Sequence, residues 1–377
     1  MRTFHSRRDL LKSGATAGTG LALLGFGATA AIGQYEEGDN HWGWGSPPGQ
    51  NLPPSAENGP WRNLRAVREK KVFDLHVHAW ETPVQGHNYE EESKIHAKDD
   101  YVNYVDRLIA SMDRHGVAMA ALNPAFTTFE EVYEKSYLPH RDRFVLSAGW
   151  PPIEIKNKQT QLAMIGNETA FTPQDVARIY EEQITRNKAR MIGETAGNAI
   201  TFGLMTRYSP RELHPVVDVI LKHDLPVQIH TGWTPTGTAL NRAAYQTAAD
   251  WAEVVGRFMA NFPDVKLILG HTGGQFNHQD GWEAARLLFS FDNAYCDTSK
   301  SRPDVVTEVV KGIGAERVMF GSDWNRPEMK EYGPYYMRSS YQHWHNLNTI
   351  ANADMTEDQR DWVLYKSARK LLKLAPA

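Results

Sequence analysis

The sequence predicts an α/β chain closed into a (β/α)8 TIM-type barrel, with a metal site at the C-terminal ends of its strands. Three observations predict it. From Val72 onward a short apolar run, a loop and an amphipathic helix recur eight times. The repeats fill about 300 residues, a length that suits such a barrel. The first run ends Phe73-Asp74-Leu75-His76-Val77-His78, with two histidines one residue apart. An open doubly wound sheet is the rival architecture, but no Gly-rich phosphate loop follows the first strand.

The eight strand–helix pairs can be placed in order. They are Val72–Leu75 with Tyr101–His115, Val117–Leu122 with Phe129–Tyr137, Arg143–Gly149 with Pro173–Arg186, and Ala189–Glu194 with Pro210–His223. Then come Pro226–His230 with Ala248–Asn261, Val265–Gly270 with Trp282–Phe289, Ala294–Asp297 with Pro303–Gly312, and Arg317–Gly321 with a last helix near Glu357–Leu374. Apolar strands that alternate with helices imply a parallel sheet covered on its outer face. The barrel domain is expected to span residues 70–377.

Two segments precede it. Ser6-Arg7-Arg8-Asp9-Leu10-Leu11-Lys12 is basic, an uncharged run reaches from Ser13 to Gly33, and Ala28-Thr29-Ala30 offers a small-residue cleavage site. Residues 1–33 thus resemble a twin-arginine export signal. That resemblance implies the twin-arginine export machinery as a partner and a periplasmic or otherwise exported protein. Residues 34–69 are too rich in Gly and Pro for regular structure and read as a linker and entry segment. No stretch beyond the export segment is apolar for the ~20 residues that span a bilayer.

Composition narrows the chemistry. The chain has 377 residues, 41% hydrophobic and 23% charged, as ordinary globular proteins do. A formal net charge of −4 gives no reason to expect nucleic acid as a partner. Cys296 is the single cysteine, which excludes an internal disulfide and a cysteine-rich metal knuckle. Any metal must therefore be held by His, Asp or Glu.

In a barrel the chemistry sits where strands end. Side chains two apart on a strand share a face, so His76 and His78 project into one space and form half of a zinc site. The ends of later strands carry Glu194, His230, His271 and Asp323. His76, His78 and His230 offer imidazoles and Asp323 a carboxylate, the donor pattern of a catalytic zinc site with one open position. One Zn2+ is therefore the expected cofactor. It would lower the pKa of a bound water to about 7.

These residues carry a specific resemblance. The His76-Val-His78 pair, a His on strand five, a His followed by Gly-Gly on strand six, and Gly321-Ser-Asp-Trp324 on strand eight resemble the amidohydrolase superfamily. The similar branch is the amidohydrolase-related one, which includes aminocarboxymuconate semialdehyde decarboxylase-like enzymes. The resemblance runs from Val72 to Leu374 and departs from the family at Lys366. It implies that Asp323 touches the ion and takes a proton from its water, and that His271 faces the substrate as a catalytic residue or else ligates a second metal. It also implies a homodimer as one form of assembly. The expected function is a metal-dependent hydrolase that uses zinc-bound hydroxide on a C–N or C–O bond of a small molecule. The alternatives are a non-oxidative decarboxylase of a carboxylated aromatic or dienoic substrate, and a catalytically silent metal- or ligand-binding barrel.

Other residues stay open at this stage. Glu194 either bridges a second metal or lines the pocket. Gly193 before it is expected to allow a sharp turn. Asp74 reads as a residue that supports the histidines from behind or packs against them. Trp80, Trp233 and Trp324 follow the ligands and are candidates for an aromatic, substrate-binding rim. Arg326 could receive a substrate carboxylate through a two-point contact. His343-Trp-His345 repeats the spacing of the metal pair, but it follows no strand and reads as loop or helix surface.

Overall fold

The structure, a computed structural model, describes residues 59–78, 104–124, 129–149, 172–194, 204–205, 207–229, 231, 248–273, 279–324 and 343–377. Eight strands stand in sequence order in one parallel sheet. They are β1 (Val72–Val77), β2 (Val117–Leu122), β3 (Phe144–Ala148), β4 (Met191–Ile192), β5 (Val227–Ile229), β6 (Leu267–Leu269), β7 (Ala294–Asp297) and β8 (Val318–Met319). The ring closes between last and first. Leu75 N donates to Phe320 O at 2.9 Å, His78 N donates to Trp324 O at 2.7 Å, and Val77 pairs with Trp324. The strands are apolar along their length, as a sheet covered on both faces requires. Leu267, Ile268 and Leu269 of β6 are all fully buried.

Helices cover the outside. They are α1 (Arg65–Arg68), α2 (Tyr104–His115), α3 (Phe129–Glu131, continued by a π-helical turn over Val132–Tyr137), α4 (Pro173–Asn187), α5 (Pro210–Lys222) and α6 (Ala248–Asn261). They continue with α7 (Gln279–Leu288), α8 (Pro303–Ile313), α9 (His343–Asn352), α10 (Glu357–Asp361) and, after a π-helical turn over Trp362–Lys366, α11 (Ser367–Leu371). Local sequence sets their starts. Thr172 Oγ1 accepts from Asp175 N at 3.2 Å while Asp175 Oδ2 accepts from Thr172 N at 3.0 Å, and Pro173 opens the first turn of α4. Val305, Val306, Val309, Val310 and Ile313 give α8 one buried apolar stripe. None of the described helices is long and apolar enough to cross a membrane.

The eight parallel strands and their helices form the predicted barrel. Most elements lie within a few residues of the expected bounds, and β2, β7 and α6 match them. The ladders of β4 and β8 are only two residues long, because the chain leaves the sheet there to present Glu194 and Asp323. Two features were not anticipated. Trp61, Leu64, Ala66 and Val67 sit in the main core, so the chain packs on the barrel from the start of the described residues. Helix α9 carries His343 and His345, which were expected at the surface of a loop or helix. His343 and His345 are buried on it, not at the surface, with exposures of 0% and 7%.

Candidate metal centre and active site

The site grows out of β1. His76 Nδ1 lies 3.2 Å from Asp297 Oδ2, and His78 Nδ1 lies 3.1 Å from the carbonyl of Asn123. A carbonyl has no proton to give, and neither does an ionised carboxylate. Both Nδ1 atoms therefore carry a hydrogen, and both Nε2 atoms point into the space between the strand ends. Those Nε2 atoms are 3.1 Å apart. Glu194 Oε2 approaches them at 2.5 and 3.1 Å. Asp323 Oδ1 approaches them at 3.5 and 3.2 Å. The four ligand atoms all lie within 4.8 Å of one another, and all four residues are buried.

Two imidazole nitrogens and two carboxylate oxygens thus converge. Such a donor set fits a divalent cation of the kind bound by nitrogen and oxygen donors. The field there is strongly negative. Burial alone would lower the pKa of His76, yet Glu194, Asp297 and Asp323 hold it well above the ordinary histidine range. His78 is raised too, against its own desolvation, by hydrogen bonds to Asp323 and Glu194. Burial would push the Asp323 carboxyl up, but the Lys300 ammonium and the two histidines hold it well below the usual carboxylate range.

Asp297 was missed in the sequence, although it ends strand seven by the same rule that marked the others. It organises two imidazoles at once. Its Oδ2 faces His76 and accepts from Gln228 Nε2 at 2.8 Å. Its Oδ1 accepts from Ser299 N at 2.9 Å, from His271 N at 3.3 Å and from the Ser299 hydroxyl. With its proton given to Asp297, Ser299 Oγ accepts from His271 Nδ1 at 2.8 Å. His271 Nε2 lies 3.4 Å from Glu194 Oε1, on the side of the ligand cluster. The His76 and His271 rings lie 5.2 Å apart, so the candidate catalytic histidine borders the candidate metal centre. Burial would raise the Asp297 carboxyl, but His76 and Ser299 hold it low.

Asp74 supports the ligands from behind, one of the two roles expected of it. Its Oδ1 accepts from His76 N and from Ser322 N, both at 3.0 Å, which ties β1 to the loop carrying Asp323. Its Oδ2 lies 3.0 Å from His343 Nε2. Helix α9 also sends Asn346 to the site. Asn346 Oδ1 accepts from Lys300 N at 2.9 Å, and its Nδ2 donates to Ser322 O at 3.1 Å. Thr349 Oγ1 donates to Ser301 O at 3.1 Å. Residues 343, 346 and 349 share a helix face by their spacing. No local signal in the sequence marked Ser299, Lys300 or Asn346.

The backbone is held in unusual conformations here. His271, Thr272, Lys300 and Asp323 have φ of 55°, 54°, 55° and 52°. Each costs about 1 kcal/mol or more for a residue with a Cβ. A Cβ on Gly321 would lie 2.9 Å from Asp297 Oδ1 and 3.0 Å from the His76 Cβ. Gly193 also serves close approach and not a positive-φ turn, since its Cβ would meet Asn123 Oδ1 at 2.3 Å. Trp324 is fully buried in the core cluster and not at a rim. Trp80, His230, Trp233 and Arg326 lie outside the described residues, as do residues 1–58 with the export segment.

A parallel eight-stranded barrel with buried histidines and carboxylates at its strand ends defines a metal-binding barrel enzyme. The model of the amidohydrolase family matches residues 73–374, and the chain belongs to that family. No curated protein matches it. Solved structures show the same fold at low identity. A dihydroxybenzoic acid decarboxylase from a Polaromonas species, with bound manganese and 2-nitroresorcinol, is 15% identical over 81% of this chain and 98% of its own, with a TM-score of 0.52. A 4-oxalomesaconate hydratase from Rhodopseudomonas palustris is 13% identical over 80% of this chain and 95% of its own, with a TM-score of 0.52. An amidohydrolase from Burkholderia multivorans, with bound zinc, is 12% identical over 81% of this chain and 100% of its own, with a TM-score of 0.52.

Proposed function

We propose that this chain is a zinc-dependent hydrolase that cleaves a C–N or C–O bond (amide, lactone or ester) of a small molecule. The carrying observation is that an oriented imidazole sits beside the ligand cluster. His271 donates a hydrogen bond from Nδ1 to Ser299 and turns its Nε2 to the cluster's edge. His76, His78, Glu194 and Asp323 would hold the ion, and His230 is proposed as a further ligand. A divalent ion there would acidify water and polarise a carbonyl. Asp323, kept ionised beside Lys300, would receive the water's proton. The proton that Asp323 had received would go on to the leaving group, with His271 Nε2 placed at the substrate to relay it.

Zinc is supported by the imidazole pair, and the Burkholderia amidohydrolase has zinc bound. Manganese in the Polaromonas decarboxylase marks the alternative ion, which suits the carboxylate donors. A second reading, carboxy-lyase, has a specific observation in its favour. His271 could equally deliver a proton to carbon, and the fold is shared with a dihydroxybenzoic acid decarboxylase. A screen of the metal-loaded chain against lactones, amides and carboxylated aromatics, with CO2 detection, separates them. Hydrolysis without CO2 is expected; CO2 release from the aromatics would overturn the hydrolase reading in favour of the lyase. No turnover on any panel, by a chain that binds metal, would favour the silent barrel. The twin-arginine segment supports export, and activity confined to the cytoplasmic fraction of the native host would sink that part.

A further inference from the structure

Lys300 does more than keep Asp323 ionised. It is 4% exposed, follows β7 at left-handed φ, and its ammonium is paired with Asp323 Oδ2. Asp323 is 3% exposed, and its other oxygen, Oδ1, is the one that faces the Nε2 atoms of His76 and His78. The two carboxylate oxygens are thus divided: Oδ2 faces the Lys300 ammonium and Oδ1 faces the ligand cluster. A carboxylate with both oxygens available can grip an ion with one or both. One whose second oxygen is engaged by a buried ammonium has only one to give.

The pairing is fixed from the backbone as well. Asn346 bonds Lys300 N at 2.9 Å and Ser322 O at 3.1 Å, so one side-chain amide spans the loops that carry the two partners. Asp323 follows Ser322 directly. Surface ion pairs contribute little because their side chains must be ordered for the purpose. Here burial and the Asn346 bridge already order them.

We infer that Lys300 is a positioning residue that restricts Asp323 to a single metal-facing oxygen and thereby keeps a coordination position open for water or substrate. This rests on the reading of His76, His78, Glu194 and Asp323 as a metal centre. The first test is a crystal structure of the full chain loaded with Zn2+. One Asp323 oxygen on the ion and the other on Lys300 is expected. Both oxygens on the ion, or Lys300 turned away, overturns the inference.

The second test uses Co2+ as the probe in the unaltered chain and in Lys300→Met. The expected result is one ion per chain in both and a marked loss of d–d band intensity in the variant, as the released oxygen joins the ion and raises its coordination number. An unchanged spectrum at equal metal content overturns the inference while leaving the metal centre standing. A role in folding alone would alter yield or thermal midpoint but not that band. If Lys300→Met does not fold, the zinc-loaded structure, which needs no variant, decides. A wild-type chain that takes up neither ion overturns the metal reading itself, and the Lys300 inference with it.

Discussion

Two His-x-His segments in this chain share a spacing and little else. In His76-Val77-His78 the strand puts both rings on one face, and their Nε2 atoms stand 3.1 Å apart. In His343-Trp344-His345 the helix turns residues two apart away from each other. His343 goes to Asp74 and to Ser111, whose Oγ is 2.9 Å from its Nδ1. His345 enters surroundings whose burial lowers its pKa to about 4. The first pair meets carboxylates that raise its proton affinity; the second pair has no shared centre. A spacing becomes a ligand pair only through the period of the element that carries it.

The largest effect separates the two segments directly. His76→Ala with His78→Ala should take metal content from about one ion per chain to near zero. His343→Ala should leave metal content intact and lower stability by about 1–3 kcal/mol, because buried Asp74 loses a neighbour. Elemental analysis and denaturant unfolding read the two. Full metal content in the double variant would remove the β1 pair from the site.

A smaller effect tests how the strand pair is aimed. Asp297→Asn keeps the shape but offers an amide where His76 needs a pure acceptor. Metal affinity should fall about 10–100-fold, as measured by competition with a chelator. An unchanged affinity would show that Asp297 does not set the orientation of His76.

The smallest effect concerns His345. Its folded pKa near 4 lies below its ordinary 6.5, so between those values the unfolded chain is protonated and the folded one is not. That part of the stability is full above pH 6.5 and falls as pH drops toward 4, by roughly 1.4 kcal/mol per unit at most. His345→Gln should flatten the slope of unfolding free energy against pH in that window. Equal slopes in both proteins would mean that His345 is solvated in the native state.

Most of the barrel was legible because its signals are local. Apolar runs, Pro at helix starts and capping pairs such as Thr172 with Asp175 lie within a few residues of one another. Residues at strand ends were legible because one topological rule locates them all. Asp297 fell under that same rule, and Ala294-Tyr-Cys-Asp297 could have been read by it. His343 was misread because helix α9 has no strand before it and shows no strong period, and its partner, Asp74, is far away in sequence.

By itself, the sequence determined the eightfold alternation, the strand ends that carry the candidate site residues, and the family to which the chain belongs. These depend on periodicity and short motifs, which a linear chain carries whole. Only the tertiary structure decided how those residues are aimed. Asp297 shared between His76 and His271, Asn346 bridging two loops, and Lys300 engaging one oxygen of Asp323 are contacts between segments distant in sequence. Such contacts exist only once the ring has closed and water has left the site, where an unpaired buried charge would be too costly to persist.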